Sequence, residues 1–174
     1  RLSPTDDFAG GELWDTGNLA GLPKQPNMLL SEYWREALKS GMRLQSTFGT
    51  NPFKYGAAAG TDTHTGLSAA EENNFWGKLR SSEPSPGRWD HLFQKEKTYA
   101  RKDWTLAAAG RMGVWATANT REAIWDAMKR RETYATTGPR ITLRFYGGYG
   151  FGEADARADR VVSAGYAKGV PMGG

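Results

Sequence analysis

The chain contains no cysteine, which excludes disulfides and thiolate metal sites and leaves stability to packing and polar contacts. Branched aliphatics are nearly as scarce, with four Val and two Ile in 174 residues. Buried parallel strands read as runs of Val, Ile and Leu, so this supply cannot furnish a complete parallel sheet, and some strands are expected to lie outside the sequence. Leu, Phe, Val and Ile together number 26, below the roughly 20% that ordinarily supplies a core. No initiating Met, targeting signal or apolar run long enough to span a membrane is visible. The net charge of +4 comes from 23 basic and 19 acidic residues spread along the chain, so there is no basic stripe and nucleic-acid binding is not expected. None of these features separates a cytoplasmic from a periplasmic protein.

What is present is Gly, aromatic residues and turn chemistry. Residues 1–26 are rich in Gly, Pro, Asp and Asn, with Phe8, Leu13, Trp14 and Leu19 as apolar anchors, and read as ordered irregular structure. Leu30, Trp34, Ala37, Leu38, Leu44 and Phe48 fall near helical spacing over 28–48, Gly41 weakens that helix, and Gly49 suits its C-terminus. The small-residue run 53–60 reads as a strand closely approached by its neighbours. Residues 81–88 are a surface loop by composition, and Trp89, Leu92, Phe93 and Tyr99 follow at loosely helical intervals. Asn119 and Glu122 suggest a capping box for a helix that buries Ala123, Ile124, Ala127 and Met128 and ends in Lys129, Arg130 and Arg131. Past Gly138-Pro139, a transition toward a C-terminal strand region begins at Arg140, where 140–145 alternate polar and apolar.

The chemistry-bearing residues centre on Asp62 and His64. If the preceding strand extends through them, both side chains project to one side, where a carboxylate and an imidazole can approach a shared cation. Alternatively, Asp62 starts a turn or caps a helix while His64 bonds to backbone. Glu71 and Glu72 could accept a proton or support a ligating His, yet adjacent Glu residues early in a helix also favour its positive dipole end. Arg131 and Arg140, beside Lys129 and Arg130, could meet an anionic substrate, although a solvated helix end explains basic residues equally well. Thr137, in Thr136-Thr137-Gly138-Pro139, could touch substrate or simply shape a turn. His91 reads as a polar contact outside the site. Trp14, Tyr33, Trp34, Phe75, Trp76 and Trp115 could line an apolar pocket, but in so aliphatic-poor a chain aromatics are needed for ordinary packing.

A longer pattern adds to these readings. Asn51-Pro52-Phe53-Lys54-Tyr55-Gly56, Gly60-Thr61-Asp62-Thr63-His64-Thr65-Gly66-Leu67 and Ala70-Glu71-Glu72-Asn73-Asn74-Phe75-Trp76-Gly77-Lys78 resemble the signature of a bacterial family, domain of unknown function 3604. The resemblance extends through Gly11–Leu19 upstream and Arg121–Arg140 downstream, leaving 81–109 without a firm counterpart. That family is similar in turn to the polymerase and histidinol phosphatase (PHP) superfamily of metal-dependent hydrolases. The resemblance implies an α/β fold, with residues 1–174 forming part of a distorted β/α barrel whose early strands and C-terminal region lie elsewhere. It also implies Asp62 and His64 as ligands of divalent metal ions (Zn, Mn, Fe or Mg), with a metal-bound hydroxide attacking a phosphoester or other anionic ester of a small-molecule substrate. The His-x-His opening motif of such sites is absent, and His64 and His91 are the only histidines. The piece alone is therefore expected to be catalytically incomplete, and its open seams to favour oligomerisation or association with further chain. The competing expectation is a noncatalytic binding or scaffold domain that keeps the fold.

Overall fold

A computed structural model describes residues 16–18, 20–66, 78–96, 99–103, 106, 110–136, 140–157 and 159–174. The chain divides into two compact units, one formed by Arg1–Lys54, Gly60–Gly110 and Thr137–Pro139, the other by Tyr55–Ala59, Arg111–Thr136 and Arg140–Gly174. Helices and small antiparallel sheets make up both, so the fold is mixed α/β; among the described residues there are three two-stranded sheets and no closed barrel.

In the first unit, Asn18 organises a tight turn. Its side-chain oxygen accepts from the N–H groups of Ala20 and Leu22, and Gly17 bridges to Pro23. This agrees with ordered irregular structure over 16–26; the anchors Phe8, Leu13, Trp14 and Leu19 lie outside the described residues. Helix α1 (Pro26–Leu29) opens with proline at its start, where a missing N–H does no harm, and a 3-10 turn at Leu30–Glu32 leads to α2 (Trp34–Phe48). The expected helix is thus broken at Tyr33, whose extended backbone (φ −89°, ψ 135°) starts α2. Gly49 ends it at φ +76°, donating its N–H to the Gln45 carbonyl. Gly41, inside α2, is closely approached. It is buried, and a Cβ there would strike the Asn51 side chain, whose oxygen holds the Phe53 N–H at 2.9 Å.

Among the described residues, 89–96 and 99–102 form no helix. Strands β1 (Leu92–Lys95) and β2 (Ala100–Lys102) pair antiparallel, with an irregularity between Leu92 and Gln94. The cause is long-range: Gln94 and Tyr99 both donate to the Asn18 carbonyl, at 3.0 and 3.4 Å, so the hairpin is defined by the upstream turn. Turns and bends precede it through 83–90, as loop composition suggested.

In the second unit, β3 (Arg111–Val114) and β4 (Thr133–Thr136) pair antiparallel on either side of α3 (Arg121–Lys129). The helix is where its spacing placed it, with Ala127 fully buried. Its cap is Thr120, one residue later than expected: the hydroxyl accepts from Ala123 N–H at 3.3 Å, leaving Glu122 in the first turn without a reciprocal bond to Asn119. The expected strand over 140–145 is absent. Its apolar set, Ile141, Leu143 and Phe145, remains exposed, and pairing begins only at β5 (Tyr146–Gly147), which meets β6 (Val170–Pro171) across α4 (Val161–Lys168). Among the described residues no strand pairs with 140–144, so alternation alone did not create a ladder, and the Phe145 carbonyl accepts the Met172 N–H at 3.0 Å beside the β5–β6 pair. The run 53–60 likewise lies in neither helix nor strand, although its close approach is real, since a Cβ at Gly56 would press on Arg131 and Thr133.

The shortage of aliphatics is met in two ways. Among the described residues, the buried apolar side chains Tyr33, Leu106 and Ala127 are joined by buried Lys78, Arg101, Asp103, Glu132 and Thr133. Tyrosine rings also pack closely against glycines: Tyr99 on Gly17, Tyr134 on its register partner Gly113, and Tyr146 on Gly165. A Cβ at Gly113 would collide with the rigid Tyr134 ring, whereas one at Gly87 meets open space. Gly113→Ala should therefore destabilise the protein by about 1–3 kcal/mol in urea unfolding, with Gly87→Ala near neutral; equal effects would remove this packing argument.

Candidate functional site

Asp62 does not continue a strand. Its φ of +53° is left-handed, a conformation that Asp tolerates better than most residues but does not prefer. This breaks the alternation that would have put Asp62 and His64 on one face, and residue 78 fixes the turn instead. The Lys78 ammonium lies 3.0 Å from Asp62 Oδ2, and the Lys78 carbonyl accepts the His64 N–H at 3.1 Å. One residue therefore holds both members of the Asp-x-His motif, through its side chain and its main chain. The pair is asymmetric: the Lys78 side chain is 9% exposed and that of Asp62 60%. Since Asp62 keeps most of its hydration, the pair contributes about 1 kcal/mol rather than the several of a fully enclosed one. His64 is exposed.

Glu71, Glu72 and Thr137 lie outside the described residues. Arg131 has a structural task. It occupies the left-handed position (φ +63°) just past α3, its N–H bonding to the Met128 carbonyl and that of Glu132 to the Ala127 carbonyl, a paired closure usually built on Gly. Its Nε donates to the Gly173 carbonyl at 2.7 Å, tying the helix end to the C-terminal segment. Arg140 is exposed. Both arginines belong to the second unit, and Asp62, His64 and Lys78 to the first.

Of two polar centres, the first agrees with His91 as a polar contact, although its partner was not foreseen, and the second was not foreseen at all. Asp103, its side chain wholly buried, accepts from or shares a proton with His91 Nδ1 at 2.8 Å, which fixes the ring of a half-exposed histidine. Only the hairpin brings these residues together: the Asp103 N–H bonds to the His91 carbonyl. In the second unit, buried Glu132 accepts from Arg130 Nε and Nη2 at 3.0 and 2.9 Å on one oxygen and from the Tyr166 hydroxyl on the other. Arg144 donates to the Tyr166 hydroxyl at 2.9 Å and stacks 4.1 Å from the centre of the Trp115 ring. Trp115 in turn donates to the Leu143 carbonyl at 2.8 Å. The available signal was a lone Glu between a basic helix end and a Thr-Tyr-Ala-Thr strand.

The Glu132 carboxylate raises the Tyr166 hydroxyl above its ordinary 10.0, aided by desolvation and opposed by Arg144. A raised folded-state value means that the stabilisation is complete below the unfolded value and fades as pH climbs through the folded one. Wild type should therefore lose stability between about pH 10 and the higher folded value, and Tyr166→Phe, already weaker at neutral pH, should lose less over that window. Parallel pH profiles of thermal unfolding for both proteins would contradict the assignment.

Carboxylate oxygen and imidazole nitrogen suit a divalent ion in kind. Among the described residues no group of three or more His, Asp or Glu side chains could hold a metal. Also among the described residues, no helix is long and apolar enough to cross a membrane. No curated protein and no solved structure matches the chain. A family match does exist and covers residues 1–174, the whole sequence, including the Asp62-Thr63-His64 turn and the Glu132 network. The chain belongs to the family described as protein of unknown function DUF3604.

Proposed function

We propose that this protein is a metal-dependent hydrolase of PHP-like kind, part of a distorted β/α barrel, acting on a phosphoester or other anionic ester. The observation that carries the reading is the Lys78-held turn, which presents an exposed carboxylate and an exposed imidazole two residues apart. Asp62 and His64 would hold a divalent ion (Zn, Mn, Fe or Mg), completed by ligands outside the described residues. Such an ion supplies Lewis-acid activation of water and of the scissile group. Glu71 and Glu72 serve as proton acceptors or as partners of a ligating His in this reading. Thr137 meets oxygen atoms of the substrate in this reading.

One observation favours a second reading. Lys78 already neutralises Asp62, an arrangement that would also suit a noncatalytic scaffold in which an ammonium replaces the metal. Metal analysis of the intact protein beside Asp62→Asn and His64→Ala separates the two. The hydrolase reading expects bound divalent metal in wild type and metal affinity about 10–100-fold lower in each variant. A screen of phosphoester, carboxyl-ester and carbamate substrates should show a parallel loss of hydrolysis. Metal content unchanged in both variants, with the fold retained, rejects the ligand assignment.

A further inference from the structure

We infer that Arg144 is an oxyanion-binding site of the second unit, taking a carboxylate or phosphate group of a small molecule on the fork of its guanidinium. The inference is independent of the Asp62 and His64 reading. Rings from three parts of the unit surround the group. Its central carbon lies 4.1 Å over the centre of the Trp115 ring, just past β3, 5.9 Å from that of Tyr146 in β5 and 5.4 Å from that of Tyr166 in α4. A guanidinium is weakly hydrated and is attracted to aromatic faces, so the three rings fix its place. Arg144 is half-buried, and its only hydrogen bond among the described residues runs from Nη2 to the Tyr166 hydroxyl at 2.9 Å. The other N–H groups of the fork remain able to donate.

The charges of the cluster do not cancel. Among the described residues no carboxylate pairs with Arg144, and nearby Glu132 is already engaged: one oxygen receives Nε and Nη2 of Arg130, at 3.0 and 2.9 Å, and the other the Tyr166 hydroxyl. Two guanidinium groups thus share a single carboxylate, and Arg144 reaches it only through a hydroxyl. That hydroxyl adds no negative charge at neutral pH, since Glu132 holds it above its ordinary 10.0. One positive charge is left over, on a planar group oriented before any ligand arrives, so binding costs little further side-chain ordering. A carboxylate or phosphate presents two oxygens at the spacing of such a fork, and the bonds are charge-assisted. Tyr166 is exposed, which keeps the cluster open to solvent.

The test is calorimetric titration of the intact protein with inorganic phosphate and with succinate at constant ionic strength, for wild type, Arg144→Gln and Arg121→Gln, with circular dichroism to confirm folding. Arg121 is exposed on α3 of the same unit, so its loss removes the same charge without touching the cluster. At least one probe should bind wild type and Arg121→Gln alike, and Arg144→Gln about tenfold or more weaker. Whichever probe binds better assigns the site to phosphate or to carboxylate. A second readout is phenylglyoxal labelling of wild-type arginines followed by mass spectrometry, in which that probe should protect Arg144 and leave Arg121 reactive. Neither probe bound by folded wild type, or equal binding by Arg144→Gln and wild type, overturns the site. Equal weakening in Arg121→Gln and Arg144→Gln reduces the effect to net charge and overturns it as well. Should Arg144→Gln fail to fold, labelling of Arg144 unchanged by saturating probe overturns it instead.

Discussion

An ammonium removed from water needs a carboxylate beside it, and in the first unit of this chain that requirement joins Lys78 to Asp62 across 3.0 Å. The constraint reaches beyond the two charges. Because the same lysine accepts the His64 N–H through its carbonyl, the turn that carries both motif residues is fixed by a residue fourteen positions downstream rather than by a sheet. The left-handed backbone at Asp62 is sustained by that external hold. Proposed chemistry and local stability therefore draw on one contact, which is why changes at either end of it are informative about function.

The same economy shapes the second unit. With so few Val and Ile, the chain packs tyrosine rings close against glycines and buries charged groups beside partners. Glu132 receives Arg130 and Tyr166, while Arg144 joins Tyr166 to the Trp115 ring. Buried carboxylates of this sort specify geometry because few alternative arrangements satisfy every donor. The basic end of α3 is part of this framework, with Arg131 closing the helix and gripping the Gly173 carbonyl.

Features governed by local chemistry were legible in the sequence. The stripe Trp34, Ala37 and Leu44 with Gly49 behind it marked α2, and the Ala-rich face of 121–129 marked α3, because amphipathic spacing and helix ends are short-range properties. Features decided by distant partners were not. Leu92–Lys95 became a strand through the Asn18 carbonyl, and Ile141, Leu143 and Phe145 stayed exposed for want of a strand beside them. Arg131 at a left-handed position breaks the usual preference for Gly, so propensity gave no warning. At the candidate site, Asp62 and His64 were found through motif resemblance, and the alternation argument for their common face failed at a single backbone angle. Lys78 closed the quoted signature without drawing notice, since nothing in sequence marks a lysine as buried.

The central claim, that Asp62 and His64 face one inorganic centre, is tested most directly by crystals of the intact protein soaked in Mn²⁺ and measured for anomalous scattering. The metal-site proposal predicts a peak at coordination distance, about 2.0–2.3 Å, from an Asp62 oxygen and a His64 nitrogen. A peak elsewhere in the protein, with Asp62 still joined to Lys78, would contradict it.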